Sequence, residues 1–273
     1  MSRSYFLRSW MRTLFCSSMF WIAVICESLF VFATSEVPMN LDINFLELID
    51  NSFSWNIAAY ITPILVSLPY VTKFFDEKAS GNYIVRITRF GEYRYACHTA
   101  VRTMLSGMMV MFFSIIMFTL MICIYGWFHH YDMFFEGGGL YGTDEYVTIY
   151  GWLLEQGMGW MIYIVHIIFL CFYGGVWACF GVLASVFVTN RRLAIVFPFL
   201  LKRLLEYIFD VSGSLYFLLP HGLTFPLSTS IKPLGGFLYL ACYVLTVFII
   251  TVIGLYYGMR IYMGKRGQVN EKR

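Results

Sequence analysis

Six long apolar runs, separated by short polar connections, set the pattern of the chain. They cover about 14–34, 53–72, 104–127, 158–189, 193–209 and 236–257. An α-helix rising about 1.5 Å per residue needs roughly 20 apolar residues to cross the hydrocarbon core of a bilayer, so each run has the length of a transmembrane helix. The fourth is longer than the core requires and must tilt or continue into the aqueous phase. The fifth follows after a break of only three residues, Asn190-Arg191-Arg192. The pattern predicts an all-α polytopic membrane protein with six transmembrane helices in a single transmembrane domain, 1–273. Ahead of the first run, Tyr5, Phe6 and Trp10 alternate with Arg3, Arg8 and Arg12, which suits a short helix lying in the membrane interface. That run is too long for a signal-peptide core and no small-residue cleavage pattern follows it, so it reads as a retained first helix.

Charge gives the runs a direction. The N-terminus, residues 73–103, residues 190–192 and the tail from Gly258 together hold 16 of the 19 Lys and Arg residues. Residues 35–52 and 127–157 hold none, but carry Glu36, Asp42, Glu47, Asp50, Asp132, Glu136, Asp144, Glu145 and Glu155. Positive residues remain on the cytoplasmic side of a membrane, so both termini are expected inside, in the plasma membrane.

Composition agrees with this partition. Only 13% of the chain is charged and 59% is apolar, with a mean hydropathy of +0.69, too much apolar surface for one aqueous core to absorb. The net charge of +3 is small and segregated, and nothing points to nucleic acid. Six of the seven cysteines lie in apolar runs and Cys97 lies in the basic 73–103 connection. They read as small packed side chains rather than as a disulfide framework or metal site.

Motifs for catalysis or energy coupling are missing from the sequence. The nearest approach to a phosphate-binding loop, Gly258 to Gly264-Lys265-Arg266, is one residue too long. It also has Arg266 where a hydroxyl should hold magnesium, and it follows a membrane helix rather than a strand. Neither GxSxG nor HExxH occurs. No cofactor is expected in this chain, and it is not expected to be an enzyme by itself. His129, His130, Asp132 and Glu136 form a polar group in a glycine-rich loop, read as a solvated acidic loop rather than a metal site.

Charge inside the apolar runs is costly and normally faces protein or a water-filled path. Glu27 falls within the first run; Lys202, Arg203 and Glu206 fall within the fifth. Lys202 and Glu206 are spaced i,i+4 and Arg203 and Glu206 i,i+3, so they can partly neutralise one another on one helix face. Two readings stand side by side: a cluster snorkelling at the outer interface, or a polar feature on a translocation path or subunit interface, with Glu27 as partner. His166 reads as a packed histidine, with a proton relay as the rarer alternative. Gly174, Gly175 and Gly181 permit close helix approach.

The connection 73–103 is the most informative segment. Asp76, Glu77 and Lys78 begin it, Ser80-Gly81 breaks it, and Ile84, Val85 and Ile87 alternate with Arg86 and Arg89. A second break falls at Phe90-Gly91, before Tyr93, Arg94 and Tyr95. Two short amphipathic pieces with a bend are predicted. Such a piece fits a groove on another protein or an anionic membrane surface, and the residues alone do not choose.

This acidic start, Ser-Gly break and basic-aromatic descent into the third run resembles the first cytoplasmic loop of ABC-2 type transporter permeases. The resemblance extends to the long fourth run ending in Thr189-Asn190-Arg191-Arg192 with immediate re-entry through Ala194 to Phe199. It also covers the segment near Leu218-Leu219-Pro220 and the amphipathic N-terminus. It implies an N-terminal elbow helix, a coupling helix between the second and third spans, and a re-entrant segment between the fifth and sixth. It further implies that Asp76, Glu77, Lys78, Ser80, Gly81, Arg86, Arg89, Phe90, Tyr93 and Arg94 meet a cytosolic ATP-binding subunit, which holds the ATP and magnesium. A second copy of the chain or a similar permease would complete the path. The implied function is ATP-driven export of amphipathic or hydrophobic cargo, peptides foremost, including toxin peptides of the phenol-soluble-modulin type. An ion-coupled secondary transporter using Glu27 and Lys202, or an exporter of drugs or lipids, is the alternative.

Overall fold

The computed structural model describes residues 14–35, 48–49, 52–53, 57–129, 153, 156, 159–212 and 233–271. Every regular element among these residues is helical: α1 (Ser18–Thr34), α2 (Ala58–Ala79), α3 (Asn82–Phe90), α4 (Glu92–Phe128), α5 (Gly159–Phe187), α6 (Arg191–Ser212) and α7 (Pro233–Glu271). Several expected features lie outside the described residues: the interfacial helix of 1–13, most of the two acidic loops with His130, Asp132 and Glu136, and the fold-back near Leu218-Leu219-Pro220.

Four helices, α2, α4, α5 and α7, are long and apolar enough to cross a membrane. The first and fifth expected spans fare differently. Helix α1 has 17 residues, because the chain turns at Cys16 and the regular helix starts only after Ser17. Helix α6 has 22 residues, contains Pro198 and carries Arg191, Arg192, Lys202, Arg203, Glu206 and Asp210. The third and sixth expected runs lengthen into polar sequence. Helix α4 starts at Glu92 rather than near Met104, and α7 continues through the basic tail to Glu271. The connection 73–103 is therefore almost wholly helical, with corners where the sequence places glycine. Gly81 has φ 72° and Gly91 has φ 82°, a backbone region that glycine enters without a Cβ penalty.

Helix α5 lies at the centre, packed against α4, α2, α7 and α6, and α2 lies between α5, α6, α1 and α4. Their shared core holds Phe20, Phe118, Phe169, Tyr173 and Trp177, all fully buried. Close approach of α4 and α5 rests on missing side chains. A Cβ on Gly107 would stand 2.5 Å from the Gly174 carbonyl oxygen, and one on Gly181 would stand 2.6 Å from Cβ of Ser67 on α2. Helices that meet at small residues gain dispersion contact without needing water to drive them together. The outer faces stay apolar: Ile22, Ile25 and Leu29 on α1, Leu120 and Ile124 on α4, and Leu245, Ile249 and Ile253 on α7 are exposed. Hydrocarbon solvates such faces at no cost.

A second apolar cluster closes one end of the bundle. Tyr70 and Phe74 of α2, Tyr83 and Ile87 of α3, Tyr95 and Ala96 of α4, Val186 of α5 and Met259 of α7 meet there. This end carries the charges of the 73–103 connection.

Candidate functional site

Two polar constellations stand out, one at the charged end and one inside the bundle.

At the charged end, three consecutive residues that close α2 each reach a different neighbour. Asp76 pairs with Arg191 at the start of α6 at 3.3 Å. The Glu77 carboxylate accepts from the Arg86 guanidinium of α3 at 2.7 Å and from the Tyr95 hydroxyl of α4 at 3.1 Å. Lys78 donates to the carbonyls of Ser185 and Val186, 3.3 Å to each, in the last turn of α5. Those carbonyls belong to the four that any helix leaves unpaired at its C-terminus, and an ammonium there also meets the negative end of the helix dipole. The Ser80 hydroxyl donates back to the Asp76 carbonyl at 2.8 Å, closing α2 before Gly81 turns the chain.

Helix α3 is held by this arrangement. Tyr83 and Ile87, one turn apart, are buried against the end cluster, and Arg86 is tied to Glu77. The opposite side is open, with Val85, Thr88, Arg89 and Phe90 exposed and Tyr93 and Arg94 exposed just beyond the second corner. The ten residues expected from sequence thus divide. Asp76, Glu77, Lys78, Ser80, Gly81 and Arg86 build the support, while Arg89, Phe90, Tyr93 and Arg94 form an outward apolar and basic surface.

Inside the bundle, Lys202 is 2% exposed and lies near the middle of α6. Its ammonium donates to the Ala59 carbonyl of α2 at 2.6 Å and to the Tyr173 hydroxyl of α5 at 3.2 Å. It also stands 3.7 Å from Glu206 and 4.8 Å from the centre of the Tyr60 ring. Arg203 faces the other way: it is half exposed, stacks 3.6 Å over Tyr60 and reaches Glu206 at 3.4 Å. The cluster is therefore split, with Lys202 packed inside and only Arg203 extending outward. Glu27, 1% exposed, accepts a hydrogen bond from the Thr62 hydroxyl of α2 at 2.5 Å. It forms no ion pair with the α6 cluster among the described residues. His166 is buried in α5.

Sequence reading found the charged members of both groups, read Tyr95 only as part of the descent into the third run, and missed Tyr60, Thr62, Tyr173 and the backbone acceptors. One signal was available. Pro63 sits inside α2 and has no N–H to give the Ala59 carbonyl four residues earlier, so an acceptor deep in the bundle had to be satisfied from elsewhere. Among the described residues no group of His, Cys, Asp and Glu could hold a metal ion. Compared with protein-family models, curated proteins and solved structures, the chain matches none.

Proposed function

We propose that this chain is the permease subunit of an ATP-driven exporter, with ATP hydrolysed by a separate cytosolic subunit that docks on α3. In this reading six helices cross the plasma membrane with both termini inside. The segment before α1 lies in the interface as an elbow, and the segment between α6 and α7 folds back from the outer side. Two copies, or this chain and a similar one, enclose the path. The cargo is amphipathic or hydrophobic, peptides foremost, since a path lined by Phe, Met and Tyr adapts to varied apolar shapes.

The observation that supports this most is α3 itself. A nine-residue amphipathic helix, set between two glycine corners and anchored on one face, presents Val85, Arg89 and Phe90 outward. A rigidly seated helix with an exposed apolar and basic face is built to bind something beyond the chain. Affinity-purified from its native membrane in mild detergent, the chain should carry an ATP-hydrolysing subunit. Stripped of it, the chain should show no ATPase activity. A preparation that never hydrolyses ATP, under conditions where the chain still transports, would overturn the proposal.

A second reading, ion-coupled transport, is favoured by the burial of Glu27 and Lys202 in the same bundle. Transport abolished by collapsing the proton and sodium gradients, with ATP maintained, would select it.

A further inference from the structure

We infer that Lys202 and the Ala59 carbonyl freed by Pro63 of α2 form a releasable latch that sets where α6 sits along α2. The acceptor in this latch is created by the proline. Pro63 cannot donate to the Ala59 carbonyl, and in the interior of a helix bundle that oxygen has to find another partner. The partner is the Lys202 ammonium, at 2.6 Å. A charge-assisted bond of this kind is short and directional. Its second bond, to the Tyr173 hydroxyl, brings α5 into the same junction.

The other directional contacts of α6 with α2 are exposed: the Asp76–Arg191 pair at the charged end and Arg203 over the Tyr60 ring. The buried stripe of α6 runs Ala194, Pro198, Lys202, one residue per turn. Ala194 presents a methyl group and Pro198 a ring, both held by non-directional dispersion forces. The other side, with Leu193, Val196, Leu200, Leu204 and Tyr207, is exposed among the described residues. Among the buried residues of α6, Lys202 is thus the one that fixes its register on α2, while the exposed Asp76–Arg191 pair is screened and weak.

Release does not require a bare buried charge. Glu206 stands one turn beyond Lys202 on the same helix, 3.7 Å away and partly exposed, so it moves with the lysine and remains its counterion. A shift of α6 would exchange the bonds to Ala59 and Tyr173, and with them the exposed Asp76–Arg191 pair. Removing a counterion from a buried ammonium is prohibitive, and a counterion carried on the moving helix avoids that step. Tyr60, beneath both Lys202 and Arg203, offers its ring face to either cation during the shift.

The latch stands independently of the transport reading and is tested on the purified full-length chain in lipid nanodiscs. The measurements are thermal unfolding and hydrogen exchange of α6 for Lys202→Met, Pro63→Ala and the double variant. Lys202→Met should lower the Tm and raise α6 exchange by about tenfold, the size of one lost charged hydrogen bond, with α4 unchanged. Pro63→Ala returns an N–H to the Ala59 carbonyl, so in that background Lys202→Met should have a much smaller effect. If Lys202→Met fails to fold, Pro63→Ala should restore folding. Equal effects of Lys202→Met in both backgrounds, unchanged α6 exchange, or failure of that rescue would overturn the latch. Should Pro63→Ala itself not fold, Lys202→Gln decides. Its uncharged amide donor must keep α6 exchange slower than in Lys202→Met, and equal exchange in the two variants would overturn the latch.

Discussion

Lys78 and Lys202 each give an ammonium to backbone carbonyls that a helix cannot pair by itself. For Lys78 the acceptors are orphaned by the end of α5; for Lys202 the acceptor is orphaned by a proline inside α2. Their surroundings differ. Lys78 is half-buried at the charged end, while Lys202 is enclosed among α2, α5 and α6. Water can replace a lost bond at the first site and not at the second. Similar chemistry therefore serves two places: a half-buried contact beside the exposed face of α3, and a fully buried junction between α6, α2 and α5.

Substitutions that pit the interior against the charged end sharpen this contrast. The largest effect is expected from Gly174→Leu, which forces a side chain into the α4–α5 contact where no space exists. Folded, monodisperse protein should be lost in size-exclusion chromatography, and a well-behaved variant would mean the close approach is dispensable. Next comes Lys202→Met, costing about 1–2 kcal/mol of unfolding free energy in denaturant titration. Lys78→Met should cost about 1 kcal/mol or less by the same titration, since solvent reaches the α5 end. Equal costs for the two lysines would break the contrast. Smallest is Asp76→Asn. Its pair with Arg191 is largely exposed, with Asp76 at 68%, and the loss should stay within about 0.5 kcal/mol.

Much of the helical layout was legible because its signals are local. Gly81 and Gly91 mark both ends of α3, but of the apolar residues read from the alternation only Ile87 is buried, with Tyr83 beside it, while Val85 is exposed. The spacing of Lys202, Arg203 and Glu206 correctly placed them within reach of one another. What the sequence hid is long-range. Lys202 meets Ala59 across 143 positions, and Glu27 meets Thr62 on a different helix from the cluster first paired with it. A backbone carbonyl carries no residue-type signal, so only the proline four residues later could have announced it. Helix ends beyond the apolar runs were hidden for a related reason. Hydropathy marks where a run becomes apolar, whereas α4 and α7 continue into polar sequence through backbone hydrogen bonds indifferent to side chain.

The central claim is that the open face of α3 engages an ATP-hydrolysing partner, while the buried junction holds the bundle. It is tested most directly by ATPase activity and unfolding free energy, measured together on the purified assemblies of Phe90→Asp and Lys202→Met. Phe90→Asp should leave stability within about 0.5 kcal/mol and remove most of the co-purifying ATPase activity. Lys202→Met should lower stability and retain the partner. Undiminished ATPase in Phe90→Asp, or loss of the partner from Lys202→Met alone, would contradict the account.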